Sequence, residues 1–105
     1  MNKLFLHIKW MDYKEKNNRT ISDEGDYDID VAEGTIIKLL GYDNKSFIKG
    51  VYDNYIEIYI SNKGDYKLSL NETLRISYSN EYQVCGDYVS EGQIYLITLN
   101  DRPRE

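Results

Sequence analysis

The sequence predicts an all-β fold, an antiparallel β-sandwich of short strands. Apolar residues recur at every second position through most of the chain, which is the period of a strand with one buried face. Eleven of the 105 residues are tyrosine, a residue type enriched in strands. The one proline, Pro103, follows the alternating segments and interrupts none of them.

The first third of the chain is predicted to hold three strands separated by polar connections. The alternation over Lys3 to Trp10 predicts the first strand. Asp12 to Asn18 is polar and is predicted to be a loop, leading into a short strand over Arg19 to Ser22. A tight turn is expected at Asp23-Glu24-Gly25, before a strand from Asp26 to Val31 that has aspartates along its outer face.

Gly34 to Gly41 is the one segment where a helix competes with a strand. Its apolar residues suit both periods, but two glycines bound it, and its first half is rich in β-branched residues. About eight residues are also short for a helix that must stand alone. We therefore expect a strand, placed centrally in a sheet because both of its faces are apolar.

Six further segments alternate, and Asn62 to Asp65 is predicted to close a hairpin with Gly64 in a left-handed conformation. These segments are Phe47 to Tyr52, Tyr55 to Ser61, Tyr66 to Leu70, Thr73 to Tyr78, Tyr82 to Val84 and Gln93 to Leu99. About nine short strands at this spacing indicate a sandwich or barrel. We expect a single domain over residues 1–99 and a polar tail or linker over residues 100–105.

Composition excludes several classes of function. The formal net charge of -5 and the scattered lysines and arginines lack the basic stripe that nucleic acid requires. The opening residues lack the apolar run of a signal peptide, and no stretch is long enough to span a bilayer. Because Cys85 is alone, no internal disulfide is possible, and a reducing, cytoplasmic location is expected.

No catalytic or metal-binding motif stands out. Asp26, Asp28 and Asp30 suggest calcium, but on one strand face the outer two are about 13 Å apart, whereas ligand oxygens lie within about 2.6 Å of the ion. His7 is the only histidine, and no second ligand is placed beside it. Cys85 lacks a nearby base and is expected to be a small apolar residue at a strand end. We predict no enzyme activity, no cofactor and no metal.

Two outward tyrosines leave an alternative open. Tyr55 and Tyr59 flank Glu57 on the outer face of one predicted strand. Such a face could stack on sugar rings, although tyrosine pairs also stabilise solvated sheets. A β-sandwich that binds carbohydrate or calcium is therefore the alternative hypothesis.

In order and spacing, the strands resemble a forkhead-associated (FHA) domain. The resemblance rests on the strand Lys3 to Trp10, the short strand ending at Thr20-Ile21-Ser22, the turn, the strand Asp26 to Val31, and the later segments Tyr66 to Ser77 and Gln93 to Leu99. It is nearest to the divergent FHA-like domains at the N-terminus of FtsK/SpoIIIE-type ATPases of Gram-positive type VII secretion systems. That resemblance implies a protein-docking module on the cytoplasmic side of the membrane, within a larger parent protein.

The sequence departs from the phosphothreonine-binding members of the family. Ser22 and Asp23 stand where those members have Gly-Arg, and neither a Ser-Arg-x-His run nor an Asn-Gly pair occurs. Asp23 would repel a phosphate, since like charges disfavour one another. The sequence therefore predicts a non-catalytic protein-interaction module without a phosphothreonine pocket. By alignment with the family's recognition turn, its expected partner-binding residues are Arg19, Ser22 and Asp23.

Overall fold

The computed structural model describes residues 3–39 and 45–101, and these residues form two antiparallel sheets without a helix. The strands of the described part are β1 (Phe5–Lys16), β2 (Arg19–Asp30), β3 (Phe47–Val51), β4 (Tyr55–Ile60), β5 (Gly64–Ser69), β6 (Thr73–Val84) and β7 (Asp87–Asn100). The four-stranded sheet has the order β2-β1-β7-β6, and the three-stranded sheet has the order β3-β4-β5. The predicted all-β sandwich is confirmed.

The core lies between the two sheets and follows the alternation in the sequence. Each fully buried leucine or isoleucine stabilises the fold by roughly 1.5–3 kcal/mol relative to an exposed one. The fully buried apolar side chains are Leu6, Ile8, Ile37, Ile48, Ile56, Ile58, Ile60, Tyr95, Ile97 and Leu99. We call the face of the four-stranded sheet that carries Leu6 and Ile8 its inner face, and the opposite one its outer face.

Pairing of β1 with β7 joins two long hairpins into one sheet. The register of β1 against β7 runs without a shift from Phe5↔Asn100 to Lys16↔Val89. The flanking hairpins, β1–β2 and β6–β7, are equally regular. In the three-stranded sheet, by contrast, the register of β3 shifts between Ile48 and Gly50.

The four-stranded sheet is much longer than the sheet packed on it. A 12-residue strand such as β1 spans about 40 Å, whereas the six residues of β4 span about 20 Å. The molecule accordingly measures 56 × 28 × 17 Å. Its radius of gyration of 15.7 Å exceeds the roughly 13 Å of a compact domain of this length. Part of the long sheet therefore projects beyond the sandwich.

Two-residue turns close both long hairpins. Asn17 and Asn18 have φ of 53° and 62°, and Cys85 and Gly86 have φ of 52° and 84°. Positive φ at both central residues defines a type I′ turn, whose twist matches that of the flanking strands. Asparagine and glycine are the residues that adopt this conformation most readily, so three of the four positions suit it.

Two of the predicted connections in the first third of the chain are wrong. Asp12 to Asn18 was expected to be a loop, but β1 continues to Lys16, and only the two asparagines turn. Asp23-Glu24-Gly25 was expected to be a tight turn, but it lies within β2. The prediction failed because these residues have no second sheet over them and so lack an apolar face.

A glycine stands at position 25 of β2 because the residue opposite it leaves no room for a side chain. A Cβ built on Gly25 would lie 2.7 Å from Cζ2 of Trp10, so the indole covers the glycine backbone across the strand pair. Gly92 stands in the same relation to Tyr13, whose hydroxyl would be 2.5 Å from a Cβ at that position. Both glycines are therefore close approaches within strands.

The predicted central strand over Gly34 to Gly41 is also corrected. Residues 40–44 lie outside the described part, and residues 34–39 form only an isolated bridge, Ile36↔Phe47. This places the segment beside the edge strand β3. Ile37 is fully buried and Leu39 nearly so, while Ile36 is exposed, so only one face of the segment is in the core. The helical alternative is excluded for residues 34–39.

Several other expectations concern segments of the second half of the chain. Gly64 has φ of 104° at the end of the β4–β5 connection, which confirms the predicted left-handed glycine. The separate strands expected at Thr73 to Tyr78 and Tyr82 to Val84 are one continuous strand, β6. Across the described residues there is no helix of the length and apolar character needed to cross a membrane. The predicted limits of the domain and its tail stay predictions.

Candidate functional site

The projecting part of the four-stranded sheet is the most distinctive surface of the molecule. We call it the arm and define it as residues 11–24 of β1, β2 and their turn, and residues 79–92 of β6, β7 and their turn. The sandwich ends at Tyr78, which donates a hydrogen bond of 2.7 Å from its hydroxyl to the carbonyl of Ser61. Lys63 lies over the same ring, 5.1 Å from its centroid. Beyond this row the arm is a single layer with two solvated faces.

Cross-strand contacts hold the arm together without a core. Val89 is 2% exposed, and its neighbours in register are Lys16 on β1 and Tyr82 on β6. Lys16 Nζ lies 3.6 Å from Asp87 Oδ2 near the two turns. Long side chains that cover a valine and pair across strands stabilise such a sheet in place of a second layer.

The predicted partner-binding residues lie on one strand of the arm. Arg19, Ser22 and Asp23 are all exposed on β2, opposite Lys16, Tyr13 and Asp12 respectively. Because side chains alternate along a strand, Ser22 is on the outer face, and Arg19 and Asp23 are on the inner face. Arg19 and Ser22 lie in a strand, as predicted, whereas Asp23 was expected in the turn Asp23-Glu24-Gly25 and lies within β2 instead. Their role in binding stays a prediction.

Strand β2 is an edge strand, and its register shows which backbone groups face outward. The amide of Val31 donates to the carbonyl of Leu4 at 3.1 Å, which makes Leu4 and Val31 a hydrogen-bonded pair. Since hydrogen-bonded and non-hydrogen-bonded pairs alternate in an antiparallel ladder, the odd-numbered residues of β2 bond to β1. The even-numbered residues direct their N–H and C=O groups away from the sheet: Thr20, Ser22, Glu24, Asp26, Asp28 and Asp30.

A row of carboxylates accompanies this open edge. Four of the outward-facing residues are acidic, and their side chains share the outer face. Asp30 lies 3.3 Å from Lys3 Nζ, and Asp28 Oδ1 lies 2.8 Å from Nδ1 of His7. No ion pair within residues 3–39 or 45–101 involves Glu24. The acidic character of the edge is therefore only partly neutralised by the protein itself.

His7 is buried beneath this row rather than exposed on it. Its side chain is 5% exposed, and Nε2 lies 3.5 Å from Asp26 Oδ2 without a hydrogen-bond partner. Nδ1 of the ring faces Asp28, and Nε2 faces Asp26. A single metal ion bound to one of these nitrogens could therefore not also bind the carboxylate at the other nitrogen. Among the described residues there is no group of three or more histidine, cysteine, aspartate or glutamate side chains that could hold a metal ion.

Tyr27 anchors the base of β2 on the inner face. Its hydroxyl donates a hydrogen bond to the carbonyl of Lys38, which ties β2 to the segment that follows it. Burial raises the pKa of the Tyr27 phenol above its ordinary value of 10.0. At the arm, the pKa of Tyr88 is raised chiefly by a hydrogen bond with Glu81.

The tyrosines proposed for sugar stacking already contact other side chains. Tyr55 stacks on Tyr52, with ring centroids 4.6 Å apart, and Lys67 Nζ lies 4.3 Å from its centroid. Tyr59 packs at a tilt against Phe47, with centroids 5.7 Å apart. These contacts fit the sheet-stabilising role of outward aromatics.

A polar groove lies where the arm meets the sandwich. This junction groove has a volume of about 500 Å³. It is lined by Asp12, Tyr78, Ser79, Asn80, Glu91, Gly92 and Gln93. Its carboxylates and amides give it the hydrogen-bond donors and acceptors of a small polar ligand site.

Sequence reasoning missed the arm, although two signals for it were present. The dipeptide Asn17-Asn18 and the glycine of Cys85-Gly86 suit two-residue hairpin turns. Cys85 was expected to be a small apolar residue at a strand end, but it is exposed at the tip of the arm.

Comparison of the chain with protein-family models, with curated proteins and with solved structures gave no match.

Proposed function

We propose that this chain is a non-catalytic protein-interaction module that docks through its arm. The observation that carries the proposal is the arm itself, a four-stranded sheet that projects past the sandwich as a single layer. A sheet with two solvated faces gains little from burial, so its length is not explained by the stability of the core. Rigid strands also position binding side chains more accurately than loops do.

The apolar side chains of the arm support docking by a protein. Ile21 is 73% exposed on the inner face, and Tyr88 is 54% exposed near the tip. Each of these side chains becomes buried only if another molecule covers it, because residues 3–39 and 45–101 provide no second layer there. Exposed aliphatic and aromatic side chains surrounded by polar ones are typical of protein-binding surfaces.

The FHA-like assignment and the parent protein belong to the same proposal. They rest on the sequence resemblance, which implies the N-terminal domain of a type VII secretion ATPase and a cytoplasmic location at the membrane. The partner would then be a component of the secretion machinery. Loss of the family's Arg and the presence of Asp23 favour docking that does not depend on phosphothreonine.

Site-specific photo-crosslinking in the native host tests docking through the arm. A photoreactive phenylalanine replaces either Tyr88 on the arm or Tyr52 at the opposite end of the molecule, which is 45% exposed and serves as the matched control. We expect a discrete crosslinked protein from position 88 and none from position 52. Mass spectrometry of that protein tests the secretion assignment.

A shortened arm provides the second control. Removal of residues 13–16 and 19–22, together with 81–84 and 87–90, keeps both turns and closes each hairpin at a pair of the same hydrogen-bonding type. This variant keeps the sandwich core and should fold. Crosslinks that come equally from both positions, or that persist from a probe at the exposed position 77 when the arm is shortened, would contradict docking through the arm.

The junction groove favours a second candidate function, carbohydrate binding. Asp12, Glu91, Asn80 and Gln93 supply the hydrogen-bonding groups. Titration calorimetry against a glycan panel tests it, with Glu91→Gln as the groove variant and Glu57→Gln on the three-stranded sheet as the control. Heat that survives Glu91→Gln but not Glu57→Gln would place a sugar site on the tyrosine face instead.

A further inference from the structure

We infer that the open edge of β2 accepts an added strand from a basic, extended segment of the partner protein. This inference rests on the proposed function and specifies the chemistry of the partner. It depends on two features of the same strand, namely the backbone groups that face away from the sheet and the charges beside them.

The edge is unusually open. β2 runs for 12 residues without a register shift or a proline, two devices with which proteins normally protect an edge strand, and the charges along it are acidic except at Arg19. Its distal half, residues 19–24, is exposed throughout. From Thr20 to Asp28 the outward N–H and C=O groups span nearly 30 Å, enough for about nine residues of an added strand.

The charge of the edge determines which strand fits. β2 carries five carboxylates and one guanidinium, that of Arg19. In antiparallel addition, the residues of the new strand that face Glu24, Asp26 and Asp28 all lie on the outer face, two positions apart. In a segment with lysine or arginine at every second position, the basic side chains opposite Glu24, Asp26 and Asp28 therefore each meet a carboxylate, and those opposite Thr20 and Ser22 meet a hydroxyl.

The inner face of β2 determines which residues suit the remaining, alternate positions of the added strand. The side chains there include Ile21, Tyr27 and Ile29, so the alternate positions of the added strand meet apolar surface at both ends. Threonine, valine and similar β-formers suit these positions. The ligand is thus a strand with one basic face and one apolar or hydroxyl-bearing face.

Other occupants of the edge fit less well. A second copy that paired through β2 would set carboxylates against carboxylates, and like charges directly opposite are destabilising. The other edge of the sheet, β6, carries only Arg75 and Glu81 as charged residues, so it offers no complementary row. Nucleic acid would be repelled by the same carboxylates.

The binding experiment uses a synthetic peptide of about nine residues in which lysine alternates with threonine and valine. Binding is measured by fluorescence anisotropy at physiological salt, against a control peptide of the same composition with its lysines in one block. A second control peptide is methylated on the backbone nitrogens that would face β2. We expect at least tenfold weaker binding of both controls, because one loses the charge register and the other loses the ladder hydrogen bonds.

Protein variants test the two features separately. Glu24→Gln with Asp26→Asn should weaken binding of the alternating peptide at least tenfold, whereas the charge-matched control Glu33→Gln with Glu72→Gln should leave it within twofold. Ser22→Pro removes an outward N–H without removing a bond to β1, and proline is tolerated on an edge strand. Ser22→Pro should therefore weaken binding of the peptide about as much as the double substitution does, while the circular dichroism spectrum stays unchanged.

Backbone NMR then locates the peptide. Bound peptide should slow hydrogen exchange at the amides of Thr20 and Ser22 more than at those of Ile21 and Asp23. Equal binding of the alternating and blocked peptides would overturn strand addition and leave simple charge attraction. No binding of any peptide, together with a crosslinked partner at position 88, would overturn the basic-strand inference while the proposed docking through the arm stands.

Discussion

At the scale of single residues, two contacts between an aromatic ring and a glycine fix how the long strands pair. The indole of Trp10 occupies the space that a side chain at position 25 would need, and the ring of Tyr13 does the same at position 92. A slip of one residue would move each ring onto a neighbour with a side chain and would turn the apolar residues of β1 to the wrong face. These two pairs therefore specify the register of the sheet.

A double-mutant cycle measures the first of these contacts. Gly25→Ala should destabilise the protein by about 1–3 kcal/mol, because the added Cβ overlaps the Trp10 ring. In a Trp10→Leu background the same substitution should cost less, since the obstructing atoms are gone. Urea unfolding of the four proteins gives the coupling. Additive effects would show that the indole does not lie over Gly25.

The phenol of Tyr27 makes stability depend on alkaline pH. Its pKa is raised by burial, so the protonated form is favoured in the folded state. The resulting stability is complete below pH 10.0, the ordinary value, and is lost as the pH rises through the raised pKa of the folded state. Between about pH 8 and about pH 11, which spans the usual titration range of tyrosine, the wild type should lose more free energy of unfolding than Tyr27→Phe.

The control for this pH effect is Tyr52→Phe, because Tyr52 is an exposed tyrosine. Its free energy of unfolding should fall over the same pH range as much as that of the wild type. All other ionisable groups are common to the three proteins, so their contribution cancels in the comparison. An identical loss in Tyr27→Phe and wild type would contradict the burial of the Tyr27 phenol.

At the scale of elements, the turns of the two long hairpins differ in quality. Asn17-Asn18 suits positive φ at both positions, whereas Cys85 is held at φ of 52° without the local hydrogen bonding that an asparagine side chain can make. Cys85→Asn creates an Asn-Gly turn, which is the strongest type I′ sequence. It should stabilise the protein by about 1 kcal/mol, measured by urea unfolding.

Two further substitutions at the same position serve as controls. Cys85→Ser removes the thiol without favouring the left-handed conformation and should change stability little. Cys85→Val places a β-branched residue at positive φ and should be destabilising. If Cys85→Asn and Cys85→Val have the same stability, the turn is not of type I′.

The elements that could be predicted from the sequence are those that bury one face. Leu6 and Ile8 of β1 and Ile56 and Ile58 of β4 alternate because the second sheet covers them, and their strands were predicted correctly. The distal half of β1 carries Asp12, Lys14 and Lys16 on its inner face, so the pattern that marks a strand is absent there. It was therefore predicted to be a loop.

The candidate site was predicted in part for the same reason. Arg19, Ser22 and Asp23 were named from the resemblance to the family's recognition turn, and all three are exposed on one strand, although their role in binding stays a prediction. Asp23 was assigned wrongly to a turn because Gly25, placed among acidic residues, indicated one. The glycine is needed because Trp10 lies opposite it in the strand pair. A contact between residues 15 positions apart cannot be detected from the local sequence pattern.

At the scale of the whole molecule, the fold consists of a sandwich that provides stability and an arm that provides surface. The core lies in the part of the four-stranded sheet that the three-stranded sheet covers. The arm adds solvated strands with two edges, of which the β2 edge is acidic, within a chain of formal net charge -5. Under the proposed function, stability and recognition lie at opposite ends of a 56 Å molecule.

Amide hydrogen exchange of the free protein, resolved by NMR along β2, tests this arrangement most directly. An open edge on an intact arm requires fast exchange at Thr20 and Ser22, and slower exchange at Ile21, Asp23 and Gly25, which bond to β1. Uniformly slow exchange would show that the edge is covered, and uniformly fast exchange would show that the arm does not form. Either result would contradict an arm with an open β2 edge.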